Sequence, residues 1–122
     1  MSKRILIVED QEDNRTILRD LLGKAGYDLI EAVNAEDGVA LALAKRPDLI
    51  LMDIQLPIMD GYEATRRIKS NAELKSVPVI AVTSYALSGE EAMARAAGCD
   101  AYIAKPFSPR QLLAKVREYL PN

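Results

Sequence analysis

The sequence predicts a doubly wound α/β fold, with five parallel strands in the spatial order 2-1-3-4-5 and a helix after each strand. Three observations carry that prediction. Short apolar runs alternate with helical patterns from one end of the chain to the other, an order that implies right-handed crossovers and a parallel sheet covered on both faces. Four of the runs end in polar residues, Glu9-Asp10, Asp53, Thr83 and Lys105, at the strand ends where open α/β sheets gather their chemistry. The second run is the most polar and ends in Val33-Asn34 without a reactive group, which suits an edge strand and agrees with that order.

Each element has its own signal. Ile5-Leu6-Ile7-Val8 reads as the first strand, followed by Ile17, Leu18, Leu21, Leu22 and Ala25 at helical spacing and by Gly26 as a stop. Leu29-Ile30-Glu31-Ala32 is the second strand. Asn34, with Asp37 three residues on, then caps a helix running through Ala44, which Arg46-Pro47 ends. Leu49-Ile50-Leu51-Met52 leads to Asp53 and to a loop from Ile54 to Gly61, with Pro57 and an expected Asp60-Gly61 turn. A third helix is expected from Tyr62 to about Asn71. Val79-Ile80-Ala81-Val82 follows Val77-Pro78, and Ser88-Gly89-Glu90-Glu91 reads as a capping box for a helix that Gly98 closes. Ala101-Tyr102-Ile103-Ala104 is the last strand. Ser108-Pro109 starts the last helix, whose buried stripe is Leu112, Leu113, Val116 and Leu120.

Composition bounds the function. A chain of 122 residues suits one domain, here spanning 1–122, that buries roughly two-thirds of its unfolded surface. The net charge of −2 gives no electrostatic footprint for nucleic acid or an anionic membrane. No apolar stretch is long enough to span a bilayer, and Met1-Ser2-Lys3-Arg4 lacks the long apolar segment of a secretory signal. Cys99 is the only cysteine, so no internal disulfide is possible and a reducing cytoplasm is expected. Beside Gly98 and just before a strand, it reads as a small buried hydrophobe.

The polar strand ends supply a specific chemistry. Asp53 would sit at the sheet centre, between Glu9-Asp10 and Thr83. The fifth strand lies roughly 9.5 Å from the third, a gap that the long stem of Lys105 can bridge. Three acids against one lysine leave a charge of −2 in a small cleft, which raises carboxylate protonation unless a cation is present. Magnesium suits such a site, with Asp10 and Asp53 as direct ligands and Glu9 acting through water. The absence of histidine argues against zinc. A carboxylate can attack phosphorus, and transfer then depends on positioning and on neutralising the equatorial oxygens. The metal, Lys105 and the Thr83 hydroxyl would each take one oxygen. Without a histidine in the chain, any phosphohistidine must come from a partner. Singly, each residue has an ordinary structural explanation: a helix-favouring acid, a strand-ending threonine, a solvated lysine, and in Tyr102 a half-buried aromatic. Glu9-Asp10, Asp53, Thr83 and Lys105 are jointly specific, because each ends a different strand on one edge of the sheet, whereas Tyr102 lies within the fifth strand, where a core or half-buried aromatic competes strongly.

On these residues the chain resembles a bacterial response-regulator receiver domain, with the flavodoxin-like, CheY-like fold. The likeness runs through Ile5-Leu6-Ile7-Val8-Glu9-Asp10, Leu51-Met52-Asp53-Ile54-Gln55-Leu56-Pro57-Ile58-Met59-Asp60-Gly61, Val82-Thr83-Ser84 and Lys105-Pro106-Phe107. Glu9-Asp10-Gln11-Glu12-Asp13-Asn14-Arg15 and Gly98-Cys99-Asp100-Ala101-Tyr102-Ile103 look like DivK-like single-domain regulators and the receivers of hybrid histidine kinases. The resemblance implies that Asp53 accepts phosphate from a histidine kinase or a histidine phosphotransfer protein. Asp10, Asp53 and the Gln55 backbone carbonyl would ligate Mg2+, or Mn2+ in its place, with Glu9 assisting. Thr83 and Tyr102 would form a switch pair, the hydroxyl moving to the phosphoryl group and Tyr102 turning inward. The surface of the fourth helix, fifth strand and fifth helix would then change. Gln55 and Tyr85 would flank the phosphoryl group and tune its lifetime, and the Lys105-Pro106 bond would be cis.

The expectation is therefore a cytoplasmic, stand-alone phosphorylation switch of a two-component phosphorelay. It would act through a downstream protein target, or relay or absorb phosphate, and would turn over no separate metabolite. The ending at Leu120-Pro121-Asn122 leaves no expected output module, although a fragment of a hybrid kinase is an alternative. An aspartate-nucleophile phosphohydrolase is a rival of another class, but it wants a second acid where Gln55 stands. A flavodoxin-like cofactor binder is another, but its phosphate loop would have to begin with Glu9-Asp10.

Overall fold

The apolar runs are near-continuous because the strands they form are buried on both faces. In the computed structural model, which describes residues 2–84 and 89–121, the elements are β1 (Arg4–Val8), α1 (Glu12–Lys24), β2 (Asp28–Ala32), α2 (Ala35–Lys45), β3 (Leu49–Asp53), α3 (Gly61–Lys69), β4 (Val79–Thr83), α4 (Glu90–Ala97), β5 (Ala101–Ala104) and α5 (Pro109–Tyr119). The sheet order is β2-β1-β3-β4-β5, with every neighbouring pair parallel. All five residues of β3 and of β4 are buried, whereas β2 is half-buried at the edge.

Alternation along the strands splits the core in two. Leu6, Val8, Ile50, Met52, Val79 and Ala81 pack with Ala42, Ala64, Ile68 and Ala94 from α2, α3 and α4. Ile5, Ile7, Leu49, Leu51, Ile80 and Val82 pack on the opposite side with Leu18 and Leu22 of α1 and Leu112 and Val116 of α5. Ile17, one of the apolar residues at helical spacing in α1, is 58% exposed. The stripe is centred on Leu18 and Leu22, and Ile17 is turned about 100° from Leu18 around the helix axis.

Helix ends follow the cap signals with three corrections. Asn34 accepts the Asp37 N–H at 2.7 Å and caps α2, which closes at Arg46 in a left-handed conformation (φ 48°). Ser108 and Gln111 form a complete capping box around Pro109, and Gly26 (φ 97°) and Gly98 (φ 105°) follow the ends of α1 and α4. The expected Asp60-Gly61 turn is the start of α3: Asp60 accepts the Glu63 N–H at 2.9 Å and Gly61 is the first helical residue. This helix ends at Lys69 rather than near Asn71. For α4, the cap is Gly89 in a left-handed conformation (φ 92°), with no side-chain cap; Ser88 of the expected box lies outside the described residues. Cys99 is buried, its Sγ 3.7 Å from Thr65 Oγ1, and burial pushes the thiol up from its usual range. Among the described residues, no helix is long and apolar enough to cross a membrane.

Candidate functional site

Parallel pairing in register brings the polar strand ends to one edge. Val8 lies opposite Met52, Asp53 opposite Val82, and Thr83 opposite Ala104, so Glu9, Asp53, Thr83 and Lys105 leave the sheet side by side. Gly61 holds this edge together. A Cβ there would collide with the Asp53 carbonyl oxygen, and the Gly61 N–H donates to the Ile54 carbonyl at 3.1 Å. The glycine is needed for close approach rather than for a turn.

Glu9 and Asp53 are buried and Asp10 is half-buried. One carboxylate oxygen from each lies within 4.8 Å of the others. Lys105 reaches across the sheet end, its Nζ 3.0 Å from Glu9 Oε1 and 3.8 Å from Asp53 Oδ2. The Lys105 N–H donates to the Thr83 carbonyl at 2.7 Å, and the Lys105–Pro106 peptide is cis. Glu9 Oε2 accepts the Gln11 N–H at 3.1 Å, and Asp53 Oδ1 accepts the Gln55 N–H at the same distance.

The acids divide the available charge unequally. Burial and then the neighbouring Glu9 carboxylate push Asp53 up to about 7, against the pull of Lys105. Burial alone would raise Glu9 as well, but the Gln11 N–H and the Lys105 ammonium outweigh it and hold Glu9 below the usual range. Asp10 is raised by burial and by Glu9. Lys105 thus serves mainly Glu9, and the cluster keeps a deficit of positive charge at Asp10 and Asp53. Hard oxygen donors with surplus negative charge suit a hard divalent cation, so the donor set fits magnesium. Beside the acids, a cleft of about 510 Å³ is lined by residues including Glu9, Ile17, Ser84, Lys105 and Phe107.

Thr83 is fully buried and joins the acids through Gln55, whose Nε2 donates to Thr83 Oγ1 at 2.5 Å while Oε1 accepts the Ser84 N–H at 3.0 Å. That bridge is not legible in the sequence. The sequence marks Gln55 as a neighbour of the site, but the bridge exists only through the register of β3 on β4. Tyr102 lies within β5, opposite Ala81. It is half-buried against the core under α4, and burial together with Glu90 and Glu91 raises its hydroxyl pKa. A second unforeseen contact lies nearby: the Tyr62 hydroxyl donates to Glu90 Oε1 at 2.6 Å and ties α3 to the first turn of α4. Tyr85 lies outside the described residues.

Residues 5–117 match the family described as the response regulator receiver domain. The chain belongs to that family. It is 46% identical over 120 residues to the polar-differentiation response regulator DivK of Brucella anthropi, covering 98% of each chain. Among solved structures, the receiver domain of a sensor histidine kinase from Pseudomonas aeruginosa, with a magnesium ion coordinated in its active-site cleft, superposes with a TM-score of 0.92 at 35% identity, covering all of both chains. The chemotaxis protein CheY4 of Vibrio cholerae superposes with a TM-score of 0.93 at 25% identity, over 98% of this chain and 99% of that one. These likenesses make the chain a response-regulator receiver of the DivK type, a signalling regulator with the CheY-like, flavodoxin-like fold.

Proposed function

We propose that this receiver, as a single domain spanning 1–122, is a cytoplasmic phosphorylation switch whose phosphoacceptor is Asp53. The single observation that carries the reading is the cluster itself: carboxylate oxygens of Glu9, Asp10 and Asp53 within 4.8 Å of one another, with Lys105 Nζ 3.8 Å from Asp53. Asp10, Asp53 and the Gln55 backbone carbonyl would hold Mg2+, with Glu9 assisting through water and Mn2+ able to substitute. When bound, the ion supplies positive charge that keeps Asp53 ionised and offsets charge on the phosphoryl oxygens.

The donor is a phosphohistidine of a histidine kinase or histidine phosphotransfer protein. An Asp53 oxygen forms the new O–P bond as the N–P bond breaks. The electron pair stays on the imidazole nitrogen, and a ring protonated at its other nitrogen leaves neutral. Lys105 steadies the transferring oxygens by charge, and the Thr83 hydroxyl takes another oxygen. Thr83 and Tyr102 then act as the switch pair, changing the α4-β5-α5 surface and so the contact with a downstream protein target. Hydrolysis of the acyl phosphate resets the domain, which converts no separate metabolite.

Intact mass after incubation with acetyl phosphate and magnesium tests this. A single added phosphate is expected, lost in Asp53→Asn and lost with a chelator. An adduct that survives Asp53→Asn would overturn the assignment.

A further inference from the structure

Because Asp53 lies opposite Val82, the residue two beyond the first meets the residue two beyond the second. That sets Gln55 against Ser84, and the glutamine amide is used at both ends. Its Oε1 accepts the Ser84 N–H at 3.0 Å and its Nε2 donates to Thr83 Oγ1 at 2.5 Å. The orientation of the amide is determined, since a backbone N–H can only donate and must face the carbonyl oxygen. The Gln55 N–H also donates to Asp53 Oδ1 at 3.1 Å. One residue therefore contacts the proposed nucleophile and both polar groups at the end of β4.

A phosphoryl group on Asp53 brings anionic oxygens that need donors aimed at them. The Thr83 hydroxyl and the Ser84 N–H stand at the strand end beside it; the amide occupies the Ser84 donor directly and fixes the Thr83 oxygen as an acceptor. We propose that Gln55 is a latch: anchored on the Thr83 oxygen, its side chain holds the end of β4 in the resting arrangement and must release the Ser84 N–H before that donor can bind a phosphoryl oxygen. The proposal rests on Asp53 as phosphoacceptor. The competition has a direction. Hydrogen bonds to an anionic oxygen are roughly twice as strong as neutral ones, so the phosphoryl group wins. The neutral bonds broken are subtracted from its affinity. Gln55 is half-buried and Ser84 exposed, so the freed amide finds water and the exchange is reversible. In this role Gln55 is a positioning residue that sets the resting bias of the switch.

The test is a titration of the full chain with beryllofluoride and magnesium, followed by the amide resonances of Thr83 and Ser84. Wild type is compared with Gln55→Met, which keeps the length without the polar groups, and with Gln55→Ala. Both variants are expected to bind about threefold to tenfold more tightly, the span of one ordinary hydrogen bond. The Ser84 N–H is also expected to exchange faster with solvent before ligand is added. In a Thr83→Val background the gain from Gln55→Met should shrink, because one of the two bonds is already gone. Unchanged or weaker binding in both variants overturns the latch, as does a gain of undiminished size in the Thr83→Val background. A wild-type chain that binds no beryllofluoride overturns the phosphoacceptor reading instead.

Discussion

At the scale of single residues, the site is a problem of uncompensated charge. Asp53 titrates near 7 against an ordinary value of 3.8, so the folded chain holds this proton more tightly than the unfolded chain does. Stability from that proton is complete below the ordinary value and is lost as pH rises toward 7. Asp53→Asn removes the buried charge and should stabilise the metal-free protein at pH 8 by on the order of 1–2 kcal/mol, well below the full linkage because the effective dielectric around buried charges in proteins is high. The advantage should shrink toward pH 4, and urea denaturation at the two pH values checks it. A destabilised Asn variant at pH 8 would contradict the charge distribution described here. The acids, the threonine and the lysine were all legible in the sequence, since each ends an apolar run. The Gln55 bridge was not, because it depends on which strand Asp53 faces and in what register.

At the scale of elements, local signals worked where the chain itself supplies the hydrogen bond. Asn34 and Ser108 cap their helices as the sequence implies. The failures have tertiary causes. Asp60-Gly61 has turn chemistry, yet Asp60 caps α3, and Gly61 is packed against the backbone of Asp53 and Ile54. Ile17 shares the helical spacing of its neighbours, but the sheet covers only the Leu18 side of α1. Gly61→Ala should therefore cost about 2–3 kcal/mol through forced backbone shifts, although alanine is the better helix former. It should also slow adduct formation at Asp53. Chemical denaturation paired with the mass assay checks both effects, and a stabilised, fully reactive variant would show that α3 has room to move.

At the scale of the whole molecule, metal binding and folding should be linked. An ion held by the native acids and not by the unfolded chain stabilises by mass action. Binding at a site where Asp53 is half-protonated near pH 7 must also release a proton. Magnesium should raise the melting temperature by several degrees at pH 8 and by much less at pH 5, with the increment abolished in Asp53→Ala. Equal increments at both pH values would place the ion elsewhere. The five-strand order agrees with the one polar edge run and the four reactive strand ends, but the family resemblance supplies the rest of it.

The division of the core has an evolutionary corollary. Successive residues along β1, β3 and β4 serve opposite layers, one shared with α2, α3 and α4 and the other with α1 and α5. Substitutions in layers that share few neighbours combine nearly additively. One flank of the domain can thus drift toward new binding preferences while the other keeps its old ones, with the acidic edge unchanged between them. Such a scaffold suits gene duplication, because each copy can acquire its own correspondents without first losing the chemistry.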